Sequence, residues 1–266
     1  MGTGGVNLGS TIDLDYSCNW PAYLSCRMSE YSYRQLLAGD AAEAAKDADT
    51  WLDEHGYAKY LDEAVIPSLR IASDDQRRAV LGKEQLDRLK DSMTEYIAQI
   101  RELLDFKSEQ RKAETTLSGD VTPASKVATA VVIAGRGAID QGVAELVAEA
   151  IRFHLGMPTQ CPSLGGLTGI SAASGEARDA APDVVVLISV GEITAAQLTL
   201  LQRRATRVFE RAVIIIGYWH NPRESPDRGQ DDKLIFAESV DSVLRSVRLV
   251  AERTTTSSRP PPLKLV

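Results

Sequence analysis

The chain has 266 residues, 44% of them hydrophobic and 25% charged, with a formal net charge of -7. That is ordinary for a folded protein long enough for two small domains, and it excludes collagenous and wholly disordered classes. The acidic excess, with 17 acidic against 11 basic residues within 31–110, argues against a nucleic-acid partner, because phosphate neutralisation is the main source of such affinity.

The longest apolar runs, such as 184–188 and 212–216, fall far short of the roughly 20 residues a spanning helix needs. The amino-terminal MGTGGVNLGSTIDLDYS lacks the basic and then apolar order of a secretory signal, so a cytoplasmic location is expected. Cys18, Cys26 and Cys161 are an odd number without CxxC spacing, which supports neither a disulfide framework nor a zinc site.

In chain order, residues 1–30 begin glycine-rich and then carry Tyr16, Trp20, Pro21 and Tyr23 without periodicity, as in a loosely ordered arm. A helical bundle is expected over 31–107. Its first helix, 31–38, should stop at Gly39, and Asp40 with Glu43 three residues on has capping-box spacing for the second, which ends near Gly56. A third helix places Leu61, Val65 and Leu69 on one stripe, with Pro67 bending it. Gly82 precedes a fourth with an apolar seam of Leu86, Leu89, Met93, Tyr96, Ile100 and Leu103. Residues 108–127 collect Gly, Pro, Ser and Thr and predict a linker.

Strand and helix patterns then alternate over 128–252. Strands are expected at 128–134, 157–162 (weak), 184–189, 212–216 and 234–237, separated by helices at 139–155, an alanine-rich stretch before Pro182, and 194–207; a last helix runs from 239 to about 251. Three strands are continuous apolar runs, the mark of a sheet covered on both faces. The fold class is α/β, a helical bundle followed by a five-stranded doubly wound parallel sheet of flavodoxin-like type. The tail 253–266 has too little to bury and is expected to be disordered.

LLAGDAAEA at 36–44, YLDEAVIPSLRIA at 60–72, and a bundle set before a five-stranded sheet resemble the cobalamin-binding module of methionine synthases, corrinoid methyl carriers and cobalamin-dependent regulators. The resemblance implies a ligand held between helical cap and strand ends. In that family Asp-x-His-x-x-Gly after the first strand supplies the lower cobalt ligand. Counting back from Gly142 puts Gly137 at the aspartate position and Ile139 at the histidine position, so neither ligand group is present, and cobalamin is not expected as a cofactor. Gly191 stands where the family's Ser-x-Leu element has its leucine, and the glycine pair after the fourth strand reads Gly217-Tyr218. YRQLLAGDAAEA, YLDEAVIPSLRIASDDQRR and a strand with AGRG, in this order, are also similar to the cytosolic domain of bacterial autoinducer-2 exporter-like permeases. That resemblance implies a regulatory or scaffolding role.

Ligands of such sheets bind beyond the carboxyl ends of the strands. The residues expected there are Gly135, Arg136, Gly137, Asp140, Ser189, Glu192, Tyr218, Trp219 and His220. Arg136 could hold an anion at the following helix amino terminus or pair with Asp140 or Glu192. No Ser/His/Asp set or carboxylate pair assembles, so a non-catalytic ligand-sensing module is expected. The alternative is a corrinoid carrier or sensor using a histidine-free mode. Expected partners are a small molecule at the strand ends, a membrane permease or other protein, and a second copy. Arg203, Arg204, Arg207 and Arg211 could form a basic patch for an acidic partner, including the bundle of another subunit, or complement a helix carboxyl end. Tyr218 and Trp219 are both expected to bury against the bundle.

Overall fold

The computed structural model describes residues 20–116, 128–135, 137–163, 166, 168, 170–171, 181–191, 193–219 and 234–257. Its bundle comprises α1 (Trp20–Ala38), α2 (Ala41–His55), a short α3 (Tyr57–Tyr60), a π turn (Leu61–Val65), α4 (Ile66–Arg77) and a long α5 (Lys83–Thr116). Then follow β1 (Ala130–Ala134), α6 (Gly137–Leu155), β2 (Thr159–Gln160), β3 (Val184–Ser189), α7 (Ala195–Val208), β4 (Val213–Tyr218), β5 (Leu234–Ala237) and α8 (Val240–Ser257).

Local chemistry explains most of these limits. The Asp40 carboxylate accepts from the Glu43 backbone N–H at 3.3 Å and starts α2. Thr194 and Gln197 cap α7 reciprocally, the Thr194 side chain accepting from the Gln197 N–H at 3.2 Å and the Gln197 side chain accepting from the Thr194 N–H at 3.1 Å. Gly156 closes α6 at a φ of +59°, where a side chain is strained. Pro67 is accommodated by a definite device. The turn before it widens to π, with Ile66 N–H reaching back to Leu61 O, which accommodates a residue that cannot donate.

Three helices run well past their expected limits, and β4 extends to Tyr218. α1 begins at Trp20, inside the expected arm. Its inward face carries buried Ser29, Ser32 and Gln35 beside Tyr33 and Leu36, so no apolar period advertises it, while Pro21 fits a first helical turn. α5 continues to Thr116 through SEQRKAETT, which loses apolar period but holds good helix formers and no Gly or Pro. α8 continues to Ser257, with Thr254 bonding back to Val250 O at 3.0 Å. The remaining arm (1–19), linker (117–127) and tail (258–266) lie outside the described residues, as does most of the alanine-rich helix.

The sheet is wholly parallel with strand order β2-β1-β3-β4-β5, the flavodoxin-like order, whose switch point lies between β1 and β3. Strand residues alternate between two cores as the pleat requires. Ala130, Val132, Val184, Val186, Ile188 and Ile215 share one core with α6, α8 and the bundle. Val131, Ile133, Val185, Leu187, Ile214 and Ile216 share the other with Leu198, Leu201 and Ala205 of α7. The bundle therefore covers the α6–α8 side, and α7 lies on the opposite side.

The bundle docks tightly. A Cβ on Gly142 of α6 would collide with the Met93 methyl of α5, so this glycine admits a close crossing. The Tyr57 hydroxyl donates to Leu146 O at 3.4 Å. Buried Glu149 of α6 accepts from Arg101 of α5 and pairs with Arg152, each at 2.6 Å.

Candidate functional site

Beyond the ends of β1 and β3 a cleft of about 490 Å³ opens between the sheet and the carboxyl end of α4. It is lined by Ser73, Gln76 and Arg77 from the bundle, by Gly137, Ile139 and Asp140 of α6, and by Ser189, Gly191 and Ile193 at and after the end of β3. Such a volume lies within the range of small-molecule sites.

Of the expected site residues, Gly135, Gly137, Asp140 and Ser189 gather at this switch point. Gly135 must be small, because a Cβ there would sit 2.9 Å from Ile188 O and 3.1 Å from Asp140 Oδ2. Asp140, 5% exposed in the first turn of α6, accepts from the Val190 N–H at 2.9 Å. One carboxylate oxygen thus ties α6 to the end of β3. The Ser189 hydroxyl donates to Gly191 O at 3.3 Å. Arg136, Glu192 and His220 lie outside the described residues.

Tyr218 and Trp219 part company. Tyr218 follows Ile214 and Ile216 into the α7 core, away from the bundle, so the expectation that it lines the crevice against the bundle is corrected by the two-residue period of β4. Trp219 does join the bundle-side core, 8% exposed. Its indole lies over Gly217: a Cβ on Gly217 would be 2.8 Å from two ring atoms of Trp219 and 2.9 Å from Ile188 Cδ1. The space that Gly217 leaves is therefore filled by the chain's own ring. Nearby, a Cβ on Gly191 would collide with the Ser73 hydroxyl, so α4 rests directly on the turn after β3.

The sequence reading gave Asp62 no role. Carried by the π turn, its carboxylate accepts from the Val240 N–H at 2.7 Å and the Asp241 N–H at 3.3 Å. The Ser239 hydroxyl accepts from the Ser242 N–H at 3.0 Å. Three first-turn amides of α8 are thus satisfied by side chains, one of them on the bundle. Burial raises the Asp62 carboxyl pKa, and the two amides and the Trp219 indole act against that rise. Among the described residues the indole N–H makes no hydrogen bond. We read the pair as a polar contact rather than a bond.

Two further reactive side chains, Cys161 and His154, are perturbed by burial. The Cys161 thiol is pushed up to about 12, chiefly by burial, which leaves it inert. His154, in the last turn of α6, is held below the ordinary histidine value by burial and by Arg111 and Arg248. Among the described residues no three His, Cys, Asp or Glu side chains group as a metal site, and no helix is long and apolar enough to cross a membrane.

No family profile matches the chain, and no curated protein matches it. Among solved structures, it is similar to the crystal structure of a novel cobalamin-binding protein from Desulfitobacterium hafniense DCB-2. The identity is 10%, over 84% of this chain and 98% of that one, with a TM-score of 0.32. The fold assignment rests on the strand order and pairing above.

Proposed function

We propose that the chain is a non-catalytic sensing module with the layout of a cobalamin-binding protein, whose own ligand is a small molecule bound in the switch-point cleft. One observation carries this reading. Trp219 fills the space over Gly217, and Ser73 abuts Gly191, so that a cleft of about 490 Å³ is left beside Arg77 and Ser189. In the family that the sequence resembles, a corrinoid ring and its nucleotide tail pass through this region. Ile139 lines the cleft where that family has histidine, and isoleucine has no lone pair to give a metal. The residues present do not fit the corrinoid.

The bundle touches the sheet at α6, at the turn after β3 and at the start of α8, so a ligand in the cleft would contact both parts. Binding there would change how firmly the parts hold together, which is the property a regulatory domain needs. A permease or another protein reading that change fits the second resemblance.

Native mass spectrometry of the purified chain tests the proposal. The expected result is a retained small molecule in the parent that is lost when Gly137→Trp fills the cleft mouth. Gly137→Asn tolerates the positive φ there and controls for strain. Retention by the tryptophan variant would place the ligand elsewhere and overturn the reading.

A further inference from the structure

Two exposed stripes on this chain match each other and cannot meet within one molecule. The first is on α7, where Arg203, Arg207, Leu200 and Arg204 fall within about 100° of helical arc. All four are exposed, Leu200 at 54%, and α7 contains no acidic residue. In a chain of net charge -7, a helix face with only positive charge is anomalous.

The second stripe is on α5. Asp87, Asp91, Glu95, Glu102 and Asp105 fall within about 80° of arc and extend about 27 Å along the helix. All five are exposed. They stand on the far side of α5 from its buried Met93, Ile97 and Ile100. Phe106, 58% exposed, borders this acidic row as Leu200 sits among the arginines. Each stripe thus offers one large apolar side chain beside charges mostly of one sign, Asp87 being already paired with Lys90 at 3.3 Å.

We propose that the α7 stripe of one copy docks on the α5 stripe of a second copy. Opposite potentials set across an interface steer association and fix its register, and the two exposed apolar side chains would be covered together. The fold dictates how such copies assemble. The bundle lies on the α6–α8 side of the sheet and α7 on the other, so the two stripes face away from each other. A two-fold pair would need both stripes turned to one partner at once. The contact is therefore head-to-tail, and copies add beyond a dimer into a ring or an open series.

Sedimentation velocity on the full chain tests this, up to about 1 mM, the weak end of specific affinity. At about 0.01 M salt, where charges act over about 30 Å, the average mass should rise past that of a dimer. At about 1 M salt, where they act over about 3 Å, it should return to monomer. Arg203→Glu with Arg207→Glu should be monomeric alone, as should Asp91→Lys with Glu102→Lys. All four positions are exposed, and unchanged melting will confirm the fold. Mixed, the two variants keep one good stripe each, and the two altered stripes are opposite in sign, so association should return. Lys46→Glu with Lys59→Glu alters net charge as much as the arginine variant does, away from both stripes, and should still associate. A parent that stays monomeric at low salt, variants that associate as the parent does, or a parent dimer that the mixture fails to rebuild would each overturn the proposal.

Discussion

The Asp62 carboxylate and the backbone N–H of Val240 meet at 2.7 Å across 178 residues of sequence, joining the bundle to the first turn of the last helix. Side-chain acceptors at such positions typically contribute about 0.5–2 kcal/mol. Asp62→Ala should therefore lower unfolding stability by about 1–2 kcal/mol in urea titration. Asp62→Asn keeps an acceptor for Val240 and removes a buried charge, so it should match or exceed the parent at neutral pH.

The pH dependence follows from the raised carboxyl pKa. Between the ordinary carboxylate value and the raised one, the folded chain holds a proton that the unfolded chain has released. Stability from this group thus falls as pH rises through the folded pKa, and below the unfolded pKa the penalty is gone. The advantage of Asp62→Asn over the parent should be greatest at neutral pH and vanish near pH 3. An advantage independent of pH would show that the charge is not the cause.

Gly217 and Trp219 should behave as one unit. Gly217→Ala would drive a methyl to 2.8 Å from the indole ring, and overpacking of this kind costs about 1–3 kcal/mol. Trp219→Ala should cost about 3–5 kcal/mol through the cavity it leaves. In the double variant the alanine at 217 meets no ring and only the end of the flexible Ile188 side chain, so most of its separate cost should disappear. Additive effects in denaturant unfolding would mean that the ring does not occupy that space.

Elements with a local cause were legible in the sequence. β3 and β5 form at their expected limits because continuous apolar runs need no distant partner to be recognised. The start of α7 at Thr194 is likewise a matter of four adjacent residues. The last of the extra turns of α1 buries Ser29, a polar residue that gives no apolar signal. The role of Asp62 could not be read, since its partners lie at the other end of the chain. The separation of Tyr218 from Trp219 was readable: continuing the alternation of Ile214 and Ile216 puts Tyr218 on the α7 side.

Glu149 holds a further polar link between bundle and sheet. Its carboxylate is buried, while Arg101 is half-exposed, so the two partners should respond unequally. Glu149→Ala removes the acceptor that Arg101 and Arg152 share, although Arg152 keeps Thr159 O, and should cost about 1.5–3 kcal/mol. Arg101→Ala should cost about 1 kcal/mol or less, because water reaches that side and Arg152 still holds the acid. Equal losses by thermal or chemical unfolding would contradict this division.

The central claim is that the region between bundle and sheet is closed to a corrinoid by the chain's own side chains, with Trp219 over Gly217 and Ile139 in place of a ligand. The most direct measurement is the visible absorbance of the purified chain after incubation with hydroxocobalamin or adenosylcobalamin and desalting. The account predicts a colourless protein for the parent. A retained corrinoid spectrum at a stoichiometry near one would contradict it and establish histidine-free corrinoid binding in its place.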